Sequence, residues 1–282
     1  MPLTSIHDEL KKAQEGHYAL PLFDTLEMLA TVGIFSALEM KQAPGIVAIP
    51  GGWINRPSAG EFALYIRAMA EAASVPVSLM LDHGRSFESC MKALSFGFTD
   101  IMYDGSQLPL EENIANTREI VRAAHAMGVC VEAEIGHVGR GAEYESFGAR
   151  RRGFTDAAFV EQFVAETDAD YLAVAIGSAH GLYQGEPRLD LDLLGQIRQR
   201  VDIPLVMHGG SGLSDDQFRA AIAAGIVKIN IFTNLSVAAT ARMIAAANAE
   251  GASYPRIVGV ISDAFCERCC HHLDVFGASG KA

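Results

Sequence analysis

Tyr171-Leu172-Ala173-Val174-Ala175-Ile176-Gly177-Ser178-Ala179-His180-Gly181 changes character halfway along. Six apolar residues come first, and then small and polar ones surrounding a single imidazole. The apolar part is too short for a buried helix and does not alternate, so it reads as a strand covered on both faces. Strands of that kind belong to parallel sheets, whose neighbours are joined by crossover helices.

The same unit recurs on either side. Strands are expected near Ala19–Asp24, Gly45–Pro50, Pro76–His83, Asp100–Gly105, Val129–Gly136, Tyr171–Gly177, Pro204–Gly210 and Lys228–Thr233. Between them, apolar residues fall at helical spacing, as with Ile114, Thr117, Val121 and Ala124. Gly97, Gly128 and Gly225 stand where helices should stop before the next strand. Eight such units in about 250 residues match a (β/α)₈ TIM barrel. An open doubly wound sheet is the alternative architecture. No linker, low-complexity segment or charge run divides the chain, so residues 1–282 read as one barrel domain. One connection, at about 137–156, is longer than the others and carries no pattern of its own. It follows a strand and should therefore lie on the C-terminal face, as an active-site loop.

The chain has 22 basic and 34 acidic residues, a formal net charge of −12, and 50% hydrophobic residues. That balance gives no electrostatic footprint for a nucleic acid, although a local site can still attract a small anion. No stretch approaches the ~18 apolar residues of a membrane span. The polar N-terminal segment reads as a short amphipathic helix with no signal-peptide core. Five cysteines, an odd number without a disulfide framework, point to a reduced, cytoplasmic protein.

Chemistry-bearing residues gather at the C-terminal ends of the strands. Leu81-Asp82-His83-Gly84 closes the third, His180-Gly181 follows the sixth, and His208-Gly209-Gly210-Ser211-Gly212 follows the seventh. Three imidazoles with an open fourth position form the ligand set of a catalytic zinc site. Gly209 to Gly212 can turn backbone N–H groups toward an anion, with the Ser211 hydroxyl adding a donor. Lys228 to Thr233 offers a second such segment, and the last two strands are where many barrels hold phosphate. Asp82, Asp104 and Glu134 are carboxylates on the same face, and Glu132 and Glu134 share one side of their strand. Cys266-Glu267-Arg268-Cys269-Cys270 resembles a metal cluster, but Cys266, Cys269, Cys270 and Leu273 form the apolar stripe of a helix.

These motifs, with Tyr103-Asp104-Gly105-Ser106, Glu111-Glu112-Asn113-Ile114, Val131-Glu132-Ala133-Glu134 and Lys228-Ile229-Asn230-Ile231, resemble the class II, metal-dependent ketose-bisphosphate aldolases. The resemblance spans nearly the whole chain. It implies zinc on His83, His180 and His208, Asp82 as the catalytic acid/base, and Asp104 and Glu134 supporting the metal or an alternative metal position. It implies that Gly181, Gly209, Gly210, Ser211, Asn230, Ile231, Phe232 and Thr233 hold dihydroxyacetone phosphate. In some members a monovalent cation lies beside that phosphate. A loop glutamate, Glu143 or Glu145, would complete the proton transfers. The expected reaction is reversible cleavage of a ketose 1-phosphate or bisphosphate, with a small sugar phosphate as the partner and a homodimer or homotetramer as the assembly.

Three departures stand out. The first strand ends Phe23-Asp24 where the family usually has Phe-Asn. The loop reads Gly139-Arg140-Gly141-Ala142-Glu143 rather than a Gly-Gly pair followed closely by glutamate. No arginine for a distal phosphate stands in Phe276–Ala282. Two rival functions remain on sequence grounds, a non-catalytic sugar-phosphate binder and a metal hydrolase. The hydrolases often carry His-x-His on the first strand, which Pro21-Leu22-Phe23-Asp24 lacks.

Overall fold

The computed structural model describes residues 2–143 and 153–282. The barrel strands are β1 (Leu20–Asp24), β2 (Gly45–Pro50), β3 (Val77–Gly84), β4 (Asp100–Tyr103), β5 (Cys130–Ile135), β7 (Tyr171–Val174), β9 (Leu205–Met207) and β10 (Ile226–Ile231). They close in the order β1-β10-β9-β7-β5-β4-β3-β2, and every pair is parallel. This is the (β/α)₈ barrel that the repeating pattern predicts, and the open-sheet alternative is set aside. Helices such as Met28–Lys41, Leu110–His125 and Asp215–Ala223 lie between the strands, and Tyr254–Val275 packs on Met28–Lys41. Gly97, Gly128 and Gly225 do sit at the helix-to-strand joints, each with positive φ.

The strand register sorts the side chains. Residues paired across parallel neighbours face the same way, so Leu20 joins Lys228, Leu22 joins Asn230, and Met102 joins Glu132 inside the barrel. The interior is therefore polar in layers. At the floor, fully buried Asp100 accepts hydrogen bonds from Ser5 Oγ (2.8 Å), Ser78 Oγ (2.6 Å) and the Tyr171 hydroxyl. The helix His7–Gly16 closes this end, with the Ile6 N–H also directed at Asp100. A buried carboxyl is tolerated only with such partners.

Five strands (β4, β5, β7, β9 and β10) end one to three residues earlier than expected. β7 stops at Val174 because Thr155 takes over its edge: the Thr155 hydroxyl accepts from the Ala175 N–H (2.8 Å) and donates to the Ile135 carbonyl (2.6 Å). The 137–156 connection is also more ordered at its start than a patternless loop. Gly139–Arg140 forms a short parallel strand, β6, against β8 (Ala179–His180). A 3₁₀ turn at Gly141–Glu143 follows. Sequence periodicity cannot detect a strand two residues long. The Glu143 side chain and Glu145 lie outside the described residues.

Candidate active site

β3 delivers two functional side chains in succession, and its backbone is distorted to do so. Asp82 stays in the ladder, paired with Pro50, while His83 adopts φ 52°, the left-handed region that a residue with a Cβ rarely enters. The β3–β4 register slips between Leu81 and Gly84 at the same point. A bulge of this kind aims consecutive side chains in ways a regular strand cannot, and its strain is held by the surrounding barrel. Ser86 then caps the helix Phe87–Ser95 with a reciprocal capping box, fixing the chain's exit from the site.

The three expected histidines converge. Ligand atoms of His83, His180 and His208 all lie within 4.8 Å of one another. His83 Nε2 and His208 Nδ1 face each other at 2.9 Å, leaving the other nitrogen of each ring to a carboxylate: His83 Nδ1 to Asp104 (2.9 Å) and His208 Nε2 to Glu132 (2.7 Å). Carboxylate–histidine pairs of this form set the tautomer and orientation of a metal-ligating ring. His180 Nε2 is buried with no hydrogen-bond partner among the described residues. Three imidazoles directed at one point, His208 buried and His83 and His180 partly so, with an unsatisfied ring nitrogen among them, fit a zinc ion. The electrostatics divide the three rings. Burial pulls His83 down, but Asp82, Asp104 and Glu134 outweigh it and take the ring up to about 10. Burial and the charge of His83 hold His180 and His208 well below the usual imidazole range, as neutral ligands require.

Glu134 lies close to both rings, its Oε2 3.9 Å from His83 Nδ1 and from His208 Nδ1. Burial first, and then the charge of Asp104, push its carboxyl up to about 8. With His83 and Asp104 it makes a second potential ligand set, the alternative position expected for these two carboxylates. Asp104 itself, despite burial, is held below the carboxylate range by hydrogen bonds to His83 and Ser106. A third potential set, His7, Cys130 and Asp170, lies at the strands' N-terminal end and has structural partners instead. Asp170 accepts from the Val131 N–H and pairs with His125, while burial pushes the Cys130 thiol up to about 12. The cysteines of Tyr254–Val275 pack as the stripe predicts, with Cys269 and Leu273 buried.

Two chambers meet at this cluster, and both are lined by Pro50, Asp82, His83 and His180. The smaller, about 310 Å³, continues to Gly181, Gly209, Ser211, Asn230, Phe232 and Thr233, six of the residues expected to hold a phosphate. Gly210 and Ile231 lie behind this wall rather than on it: a Cβ on Gly210 would lie 3.0 Å from the side chains of Ile229, Ile231 and Phe218. Gly209 has φ 72°, and a Cβ there would strike the Ala179 backbone at 2.5 Å. The Tyr183 hydroxyl clips these loops together, accepting from the Ala179 N–H (2.6 Å) and donating to the Gly209 carbonyl (2.7 Å). The helix Thr233–Asn248 starts at the chamber, so its free N–H groups and dipole favour an anion there.

The larger chamber, about 610 Å³, is bordered by Asn55, Arg85, Ser86, Gln107, His137 and Arg140. His137 and Arg140 belong to the connection expected as an active-site loop, whereas Asn55, Arg85, Ser86 and Gln107 carry no such expectation from sequence. Arg85 and Ser86 directly follow the Asp82-His83-Gly84 motif, which was the available signal. Asp24 lines the small chamber, and its Oδ1 is buried without a hydrogen-bond partner among the described residues. Burial and the charge of Asp82 push this carboxyl well above its usual range.

The fold and the site have clear counterparts. The model of the class II fructose-bisphosphate aldolase family matches residues 4–281. The uncharacterised Escherichia coli protein YdjI is 37% identical over 270 residues, covering 96% of each chain. A 6-phospho-5-dehydro-2-deoxy-D-gluconate aldolase of Halalkalibacterium halodurans is 38% identical over 290 residues, covering 100% of this chain and 99% of its own. The crystal structure of the YdjI aldolase superposes with a TM-score of 0.88 at 33% identity, covering 99% of both chains. With the barrel, the histidine cluster and a family match along nearly its whole length, this chain belongs to the class II fructose-bisphosphate aldolase family and is an aldolase, a carbon–carbon lyase.

Proposed function

We propose that the enzyme is zinc-dependent and reversibly cleaves a ketose 1-phosphate into dihydroxyacetone phosphate and an acidic aldehyde. The observation that carries this reading is the position of Asp82, on the shared wall of a small chamber at the N-terminus of the helix Thr233–Asn248 and a larger one bordered by two guanidinium groups. Zinc held by His83, His180 and His208 would supply Lewis-acid polarisation of the donor ketone.

The protein's own groups account for the remaining chemistry. Gly181, Gly209, Ser211, Asn230, Phe232 and Thr233 hold the phosphate and orient the donor. Asp82 takes the proton from the C4 hydroxyl as the C3–C4 bond breaks, releasing the aldehyde into the larger chamber. The electron pair left at C3 is protonated by a loop glutamate, Glu143 by preference or Glu145, which yields dihydroxyacetone phosphate. In condensation the same groups act in reverse.

Arg85 and Arg140 support an acceptor bearing a carboxylate or phosphate, such as a sugar acid. These two guanidinium groups would take the place of the distal arginine that Phe276–Ala282 lacks. The monovalent cation, if bound, belongs beside the phosphate. We also assign the protein to the cytoplasm as a homodimer or homotetramer. Its five free cysteines favour a reducing compartment, and among the described residues no helix is long and apolar enough to cross a membrane.

The test is a condensation screen of dihydroxyacetone phosphate against neutral, carboxylated and phosphorylated aldehydes, with product stereochemistry assigned. Acidic aldehydes should give the highest kcat/KM. If no aldehyde condenses in the presence of zinc, the reading fails.

A further inference from the structure

Four contacts connect a zinc-side histidine to the acid/base carboxylate through the barrel interior. His208 Nε2 meets Glu132 Oε1 at 2.7 Å, and Glu132 Oε2 forms an ion pair with Lys228 Nζ at 2.8 Å. Lys228 Nζ donates to Asn230 Oδ1 at 2.7 Å, and Asn230 Nδ2 donates to Asp82 Oδ1 at 2.8 Å. His208, Glu132 and Lys228 are fully buried, and Asn230 and Asp82 nearly so. Strand periodicity builds the connection: Lys228 and Asn230 are two apart on β10 and share its inner face, with Glu132 reaching in from β5.

We infer that Lys228 is a positioning residue, whose ammonium neutralises Glu132 behind His208 while holding the Asn230 amide so that its NH₂ is presented to Asp82. Lys228 lines neither chamber, so substrate does not reach it and it acts only through its neighbours. A buried ammonium is costly unless paired, and this one is paired with a carboxylate and an amide oxygen. The amide has two unlike ends, and the cation fixes which one faces Asp82. Without it, Asn230 loses its anchor on the far side, and Glu132 becomes an uncompensated charge against a metal-side ring. One residue thereby couples the orientation of His208 to that of Asp82.

This inference rests on the reading of Asp82 as acid/base, and the experiment keeps the two separate. Lys228→Met, Lys228→Met/Glu132→Gln and Asp82→Ala are compared in the zinc-loaded enzyme. Three quantities are measured: kcat for cleavage, solvent exchange of the donor's C3 proton by NMR, and zinc content. Lys228→Met should retain zinc and lose about 10- to 100-fold in cleavage, the usual cost of removing an outer partner of a metal site. Exchange should fall much less than cleavage, because it does not use Asp82. The double variant removes the unpaired carboxylate and so secures folding if the single variant is unstable. Its cleavage should remain low, because the Asn230 oxygen is still unanchored. Equal loss of cleavage and exchange, or full recovery of cleavage in the double variant, would overturn the inference. If Asp82→Ala spares cleavage, the acid/base reading itself fails. If Asp82→Ala behaves as expected and Lys228→Met spares cleavage, only the role of Lys228 falls.

Discussion

His83 Nε2 and His208 Nδ1 face each other at 2.9 Å across the barrel mouth, while the opposite nitrogen of each ring is committed to Asp104 or Glu132. Two ring nitrogens so placed need a proton or a metal between them. Chelation should therefore abolish activity, and zinc should restore it at one equivalent per chain. Zinc should also raise the melting temperature in proportion to the logarithm of its free concentration. His208→Ala should lose both effects. Metal analysis and thermal shift decide this, and full activity in a zinc-free preparation would contradict it.

Asp82 reaches both chambers and is held by Asn230. Asp82→Ala should reduce cleavage by about 10²–10⁴-fold, the range for one proton-transfer group. The donor's C3 proton should continue to exchange with solvent. Collapse of exchange with surviving cleavage would reverse the assignment of roles.

Arg85 and Arg140 border the larger chamber, and Arg85 is largely exposed, 3.7 Å from Asp104. Replacing both with alanine should raise KM for an acidic aldehyde on the order of 10-fold, since charge pairs near a surface contribute modestly. Neutral aldehydes and donor exchange should be nearly unaffected. The acidic-substrate preference of the native enzyme should also weaken with added salt. An equal loss for neutral aldehydes would show that the arginines shape the chamber instead of reading charge.

Asp24 has a buried oxygen with no partner among the described residues and lies near Asp82, so its folded form favours the proton. Above the ordinary carboxylate range the unfolded chain is ionised there while the folded chain resists ionisation, and stability falls as pH rises. Asp24→Asn, neutral and of the same shape, should melt higher than the native chain at pH 8 and converge with it near pH 4. Parallel melting curves at the two pH values would exclude this account.

His272 is buried between Phe218 and Phe276, with Nε2 accepting from Asn234 at 2.8 Å. Burial, then the charges of Arg268 and His271, lower its pKa from 6.5 to about 3. The unfolded chain takes up a proton below 6.5 and the folded chain only near 3, so stability declines as pH falls through that window. The slope reaches at most about 1.4 kcal/mol per pH unit from this group. His272→Gln should flatten the acid limb in denaturant titrations by up to one proton.

The sequence by itself determined the barrel and which chemistry-bearing residues stand at the C-terminal ends of its strands. Short apolar runs buried on both faces, with helical spacing between them, admit few closed arrangements. A parallel strand also exposes its functional residues at one end, which is why Asp82, His83, His180 and His208 could be named together. Strand ends were less legible, because Thr155, distant in sequence, terminates β7. Tertiary structure alone decided which groups act in pairs. Glu132 and Lys228 are 96 residues apart and meet only because β5 and β10 face each other across a closed barrel. It also decided that Gly210 lies behind the wall of the small chamber, that one Asp24 oxygen is without a partner among the described residues, and that Arg85 and Arg140 border one chamber. Periodicity is a property of neighbours along the chain, whereas charge pairing and cavity shape depend on distances that only closure of the barrel sets.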